Sequence, residues 1–124
     1  MNSTFTKILR WLLALALLFF GLNKFFQFLP VPQLPPPASD FMSSLNATGY
    51  VLPIVGVLEI GIGLLLLLNK WVSFALLVLV PISVNIVLFH LFLDLPGIGG
   101  ALIVAVLNTV LIYKHWKAYK PLFH

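Results

Sequence analysis

The sequence predicts an all-α membrane protein, a bundle of four transmembrane helices with a short interfacial helix in its first loop. Three observations carry this prediction. Hydrophobic residues make up 61% of the chain and charged residues only 8%, and the mean hydropathy is +1.12, far from the balance of a soluble domain. Apolar segments long enough to cross a bilayer as helices follow one another with few interruptions. The one long connection between them is rich in proline. In a chain of 124 residues this leaves a single transmembrane domain with no room for a soluble catalytic module, so any chemistry sits among the helices or on their loops.

The first helix is expected over about residues 5–29. Lys7 and Arg10 precede its apolar core, and Gly21, Asn23 and Lys24 lie towards its far end. A basic start before an apolar run also describes a secretory signal peptide, with Ala14-Leu15-Ala16 as its cleavage site. Those alanines fall inside the run, with Leu17, Leu18, Phe19 and Phe20 still to come, so a retained helix is expected. Residues 30–48 form the Pro-rich loop, in which Pro30, Pro32, Pro35, Pro36 and Pro37 favour a stiff, extended path along the membrane surface. A short interfacial helix follows over residues 38–47, capped by Ser39, with Phe41, Met42 and Leu45 on or near one side. Asn46-Ala47-Thr48 matches a glycosylation sequon as a pattern alone.

The second transmembrane helix, residues 49–68, contains one ionisable side chain, Glu59. Gly56 lies three residues before it and Gly63 four after, which puts both on its face of the helix. Small residues admit a second backbone, so this face reads as a helix–helix seam and the Leu-rich side as lipid-facing. Asn69 and Lys70 make a tight turn into the third helix, residues 71–93, and two helices joined so closely are antiparallel neighbours. Within it Pro81 removes a backbone donor, and Ser83, Asn85 and His90 supply polar groups before Asp94 and Pro96 end it. The fourth helix, residues 97–113, spaces Gly97, Ala101, Ala105 and Thr109 four apart, a ridge of small residues suited to close packing. A basic and aromatic tail follows from Lys114 to Lys120, as expected at the lipid headgroups.

A formal net charge of +4 would suggest nucleic-acid binding in a soluble protein. Here the cations flank hydrophobic segments, so they mark topology and anchor the chain to the lipid bilayer, and no nucleic-acid partner is expected. Four spans put both termini on one side, with Lys7, Arg10, Lys70, Lys114, Lys117 and Lys120 and no acidic residue. Lys24, Asp40 and Asp94 fall on the other. By the positive-inside rule the N- and C-termini are cytoplasmic. The absence of cysteine excludes disulfides, thiolate metal sites and dithiol relays within the chain. Redox work would therefore need a quinone, a bound cofactor or a partner subunit to carry the electrons.

Depth sorts the polar groups. At 1.5 Å per residue, Lys24 lies about 21 Å along its helix from Arg10, and His90 about 28 Å from Trp71. Asn85 is about 7 Å deeper, and Glu59 lies about 15 Å below Gly49, near the midplane. Asn23, Lys24, Glu59, Ser83, Asn85, His90 and Asp94 thus form a candidate polar pocket that opens outward, with Glu59 at its floor. A protonated glutamate or an imidazole there can exchange protons with a quinone headgroup or a small acid. Structural roles account for the same residues: Glu59 as a neutral hydrogen-bond donor across the seam, Lys24 snorkelling to the headgroups, His90 and Asp94 as a local pair, and Asn85 satisfying backbone groups near Pro81. These depths leave Glu59 neutral unless Lys24 or His90 reaches inward to it. No metal site is expected from so few suitably placed ligands. Nucleotide loops, nucleophile elbows and metalloprotease motifs are absent.

Several motifs, taken in order, resemble those of the DoxX-like membrane proteins. They are Gly21-Leu22-Asn23-Lys24, the Pro-rich loop with Phe41-Met42, Gly49-Tyr50, Glu59 followed by Gly61, Gly63 and a leucine run, and Pro81-Ile82-Ser83-Val84-Asn85 with Phe89-His90. The resemblance covers nearly the whole chain. It implies a four-helix bundle in a bacterial inner membrane, and some relatives are associated with quinone-linked sulfur oxidation or membrane oxidoreductase assemblies. It supplies no catalytic residues. Two classes of function follow: a membrane subunit of a quinone-linked oxidoreductase system with a redox partner, or a non-enzymatic protein for small-molecule binding, transport or scaffolding. The oligomeric state is not legible in the sequence.

Overall fold

The computed structural model describes residues 3–26 and 34–123. Its helices are α1 (Thr4–Phe26), α2 (Pro36–Ala47), α3 (Val51–Leu68), α4 (Val72–Leu93), α5 (Ile98–Lys114) and α6 (Trp116–Tyr119), with 3₁₀ turns at Leu95–Gly97 and Lys120–Phe123. Four spans are long and apolar enough to cross a membrane: α1, α3, α4 and Leu95–Lys114. The protein is thus a four-helix transmembrane bundle with a short helix in its first loop. The expected end of the first helix at residues 27–29, together with Pro30 and Pro32, lies outside the described residues.

Packing divides the bundle into two close pairs, α1 with α3 and α4 with α5, joined by sparser contacts of α1 with α5 and α3 with α4. Glycines bring α1 and α3 together. A Cβ on Gly63 would stand 2.9 Å from Leu18 Cγ and 3.0 Å from Ala14 O, and one on Gly21 would stand 2.8 Å from Ile60 Cγ1 and 3.0 Å from Gly56 O. Since lipid tails are as apolar as leucine, dispersion across such a seam drives association more than burial does. The apolar core, including Leu13, Leu17, Ile62, Leu66, Leu76, Leu79, Val104 and Leu111, fills the half of the bundle nearer the chain termini.

Several local details differ from the sequence reading. Pro36 and Pro37 belong to the first turn of α2 rather than to an extended path, because a proline ring fixes φ at a helical value and lacks an N–H that the first turn would leave unpaired. Ser39 is therefore inside α2 and does not cap it; its backbone N–H donates to Pro35 O at 2.9 Å. Thr48 serves the next helix, accepting from Val51 N at 3.3 Å. The α3–α4 turn depends on Asn69, whose φ of 58° ends α3 in the left-handed region that asparagine tolerates. On α5 the buried face is Ala101, Val104, Asn108 and Leu111, which shares only Ala101 with the four-spaced ridge. A strict spacing of four drifts about 40° per step around a helix of 3.6 residues per turn, and by Thr109 the ridge has turned outward and is exposed.

The tail does not simply leave the membrane. Tyr119 is 3% exposed and its hydroxyl donates to Ser73 O at 2.7 Å, which docks α6 on the start of α4. Burial pushes its phenol above the ordinary tyrosine range, against the smaller opposing effect of the bond to Ser73, so the group stays a neutral donor.

The seam makes a direct prediction. Gly63→Leu forces a side chain into Leu18 and the Ala14 backbone and should cost at least about 1–3 kcal/mol. Gly61, whose Cβ would meet nothing within 4 Å, should accept alanine at no cost or gain up to about 1 kcal/mol. Denaturation of both variants in mixed detergent and SDS measures the difference. Equal stability would mean that the α1–α3 seam is not close-packed.

Candidate functional site

At the end of the bundle that carries α2, the two helix pairs enclose a cavity of about 860 Å³. All four spans and α2 contribute to it. Asn23 and Lys24 come from α1, Glu59 from α3, and Asn85 and His90 from α4, while Phe20, Ile82, Phe89 and Val104 are among its apolar walls. α2 brings Phe41, Met42 and Leu45, the face that its helical periodicity picks out. The rings of Phe41 and Phe89 lie 5.7 Å apart, which ties α2 to α4 beside the cavity.

The central contact is Lys24 Nζ donating to Glu59 Oε1 at 2.6 Å. Glu59 is 1% exposed, and the lysine side chain is 25% exposed, so one partner is enclosed and the other reaches the cavity. Lys24 thus reaches inward to Glu59, the condition under which the depths no longer leave Glu59 alone. The register set by Ala14 against Gly63 and Gly21 against Gly56 puts Glu59 level with Leu18, which leaves Lys24 about 9 Å further along at 1.5 Å per residue. Side chains on a helix lean towards its N-terminus. In antiparallel α1 and α3, Lys24 leans towards the middle of the bundle and Glu59 leans towards Lys24. The lean and the long lysine stem together span the gap.

His90 and Asp94 form a second pair, with Nδ1 3.3 Å from Asp94 Oδ2 and 3.2 Å from Asp94 O. His90 lines the cavity; Asp94, 8% exposed, sits behind it at the end of α4. Gly97 makes room for this arrangement, since a Cβ there would stand 2.5 Å from Asp94 Oδ2. Asn85 Nδ2 donates to Pro81 O at 2.8 Å, so this side chain both lines the cavity and supports the backbone of α4 at its proline. Among the described residues no three metal-ligating side chains come together.

Ser83 is not brought to the cavity. Its hydroxyl donates to Asn108 Oδ1 at 3.1 Å, and Asn108 Nδ2 donates to Leu76 O at 3.0 Å, a buried link between α4 and α5. Ser83 and Asn85 are two residues apart, and about 200° of helical rotation sends them to opposite faces. Sequence reasoning overlooked Asn108. An amide in the middle of an apolar span was its signal, because such a group demands a partner on a neighbouring helix.

The ion pair can be tested through its asymmetry. Lys24→Met leaves a carboxyl group enclosed without its cation and should destabilise the bundle by roughly 3 kcal/mol. Glu59→Leu should cost less, because the freed ammonium can reach the cavity and headgroups. The double variant Lys24→Met/Glu59→Leu should recover most of the loss. Detergent denaturation of all three decides the matter, and additive losses in the double variant would show that the two side chains are not coupled.

Compared with known proteins, the chain matches the family model described as DoxX over residues 5–91. No curated protein and no solved structure matches it.

Proposed function

The chain belongs to the DoxX family, and on that premise we propose that it is the membrane subunit of a quinone-linked oxidoreductase system, with the quinone held in the cavity beside Lys24 and Glu59. The observation that carries this reading is the cavity itself. Its volume of about 860 Å³ suits a molecule of moderate size, and its apolar walls with a few polar groups match a ligand with a polar head and an apolar body. When bound, a quinone supplies transfer of two electrons and two protons.

The chain's own residues bind, orient and handle protons. Lys24 can donate to a head-group oxygen while Glu59 fixes its ammonium in place. Asn85 and His90 offer further polar contacts along α4. The His90–Asp94 pair lies at the end of the helix, where an imidazole oriented by a carboxylate can pass protons towards solvent. In this reading the electrons reach the quinone from a partner subunit or a bound cofactor, since the chain has no cysteine for a dithiol relay.

Binding is measured by titrating a short-tailed quinone into the protein in nanodiscs and following ligand-induced stabilisation. The parent should bind, Lys24→Met should weaken binding on the order of tenfold with loss of the charged donor, and Ser83→Ala, outside the cavity, should leave it unchanged. No binding by the folded parent would overturn the quinone reading.

For localisation, the reading is a bacterial inner membrane with both termini cytoplasmic. The support is the charge split between the two ends of the bundle. A reporter fused after His124 that works only in the cytoplasm should be active. Activity instead of a reporter that works only outside the membrane would reverse the orientation.

A further inference from the structure

Six of the seven cationic side chains, Lys7, Arg10, Lys70, Lys114, Lys117 and Lys120, belong to the end of the bundle that carries the termini, and none of the three acidic residues does. Tertiary contacts gather the segments that bear them. Arg10 Nη1 donates to Asn69 Oδ1, which joins α1 to the α3–α4 turn beside Lys70. Lys114 Nζ lies 5.7 Å from the centre of the Phe5 ring, which joins the end of α5 to the start of α1. The Tyr119 hydroxyl bonds Ser73 O at 2.7 Å, which brings α6, with Lys117 and Lys120 on either side of the anchoring tyrosine, against the start of α4.

Aromatic residues follow the same division. All three tryptophans of the chain, Trp11, Trp71 and Trp116, lie at this end and are 43%, 73% and 43% exposed. Trp116 stacks on Phe123 with centroids 5.7 Å apart, and Lys7 Nζ sits 5.0 Å from the centre of the Trp11 ring. Amphipathic rings of this kind settle at headgroup depth, where basic side chains meet lipid phosphates. Among the described residues no aspartate or glutamate at this end is available to neutralise the cations.

We propose that the end of the bundle carrying the termini is a binding surface for anionic phospholipid headgroups, with the docked tail supplying Lys117 and Lys120 as phosphate contacts. This differs from a general topology signal because it assigns lipid selectivity to two residues placed by the Tyr119–Ser73 contact. The ligand is the headgroup of a bilayer lipid, because the surrounding rings and spans place the cations at the membrane interface. It is independent of the cavity, which lies at the other end.

The test reconstitutes the full chain in mixed vesicles of phosphatidylcholine and phosphatidylglycerol, extracts it gently, and measures retained lipid by native mass spectrometry. The parent should retain phosphatidylglycerol in preference to phosphatidylcholine. The double variant Lys117→Gln/Lys120→Gln should lose on the order of tenfold of that preference, given the attraction each basic residue has for an anionic surface. Asp40→Asn, which changes net charge at the opposite end, should leave the preference intact and so separates a local surface from overall charge. Circular dichroism and elution volume confirm folding of each variant. Equal retention of the two lipids by the parent, or an unchanged preference in the double lysine variant, would overturn the proposal. So would displacement of the lipid by inorganic phosphate under conditions where chloride at equal ionic strength has no effect, which would make free phosphate the ligand.

Discussion

Close approach of α1 and α3 is the constraint on which the rest depends. Gly21, Gly56 and Gly63 remove the side chains that would hold the two backbones apart, and the antiparallel register they create lets Lys24 and Glu59 lean towards one another. An enclosed carboxylate is tolerated in a membrane only when a cation or a strong donor satisfies it. The 2.6 Å contact from Lys24 meets that need. Seam and ion pair are therefore one device: the glycines set the distance, and the charges use it.

Because α1 pairs tightly with α3 and α4 with α5, the contacts between pairs carry less of the packing. Near the termini they are filled by Leu13, Leu66, Leu76 and Leu111. Towards α2 the same space becomes the cavity, partly walled by Phe41, Met42 and Leu45. The buried Ser83–Asn108 link holds α4 to α5 between these regions. One half of the bundle thus provides rigidity, and the other leaves room for a ligand among groups that the rigid half positions.

Charge is divided as unevenly as packing. The polar groups at the α2 end, Lys24, Glu59, His90 and Asp94, are paired with each other around or behind the cavity. At the opposite end the cations have no aspartate or glutamate partner among the described residues and lie among tryptophans. Paired charges enclosed by protein suit recognition and proton handling, whereas unpaired charges at an interface attract anions. The ends of the molecule therefore face different chemistry.

The sequence by itself determined the four spans, since about 20 apolar residues are needed to cross a bilayer and little else uses such a run. It also placed Gly56, Glu59 and Gly63 on one helix face, a local consequence of helical periodicity, and gathered most of the cavity's polar residues between the midplane and the outer surface. Tertiary structure alone decided their partners. Counting residues along α1 measures backbone depth and cannot include the lean of a lysine stem, so the Lys24–Glu59 contact was hidden. Ser83 and Asn85 share a depth but not a face, and only packing against α5 gives Ser83 to Asn108. Tyr119 looked like an interfacial aromatic until the tail folded back to Ser73. Periodicity is written in neighbouring residues, but partnership between distant ones depends on how the helices rotate and approach.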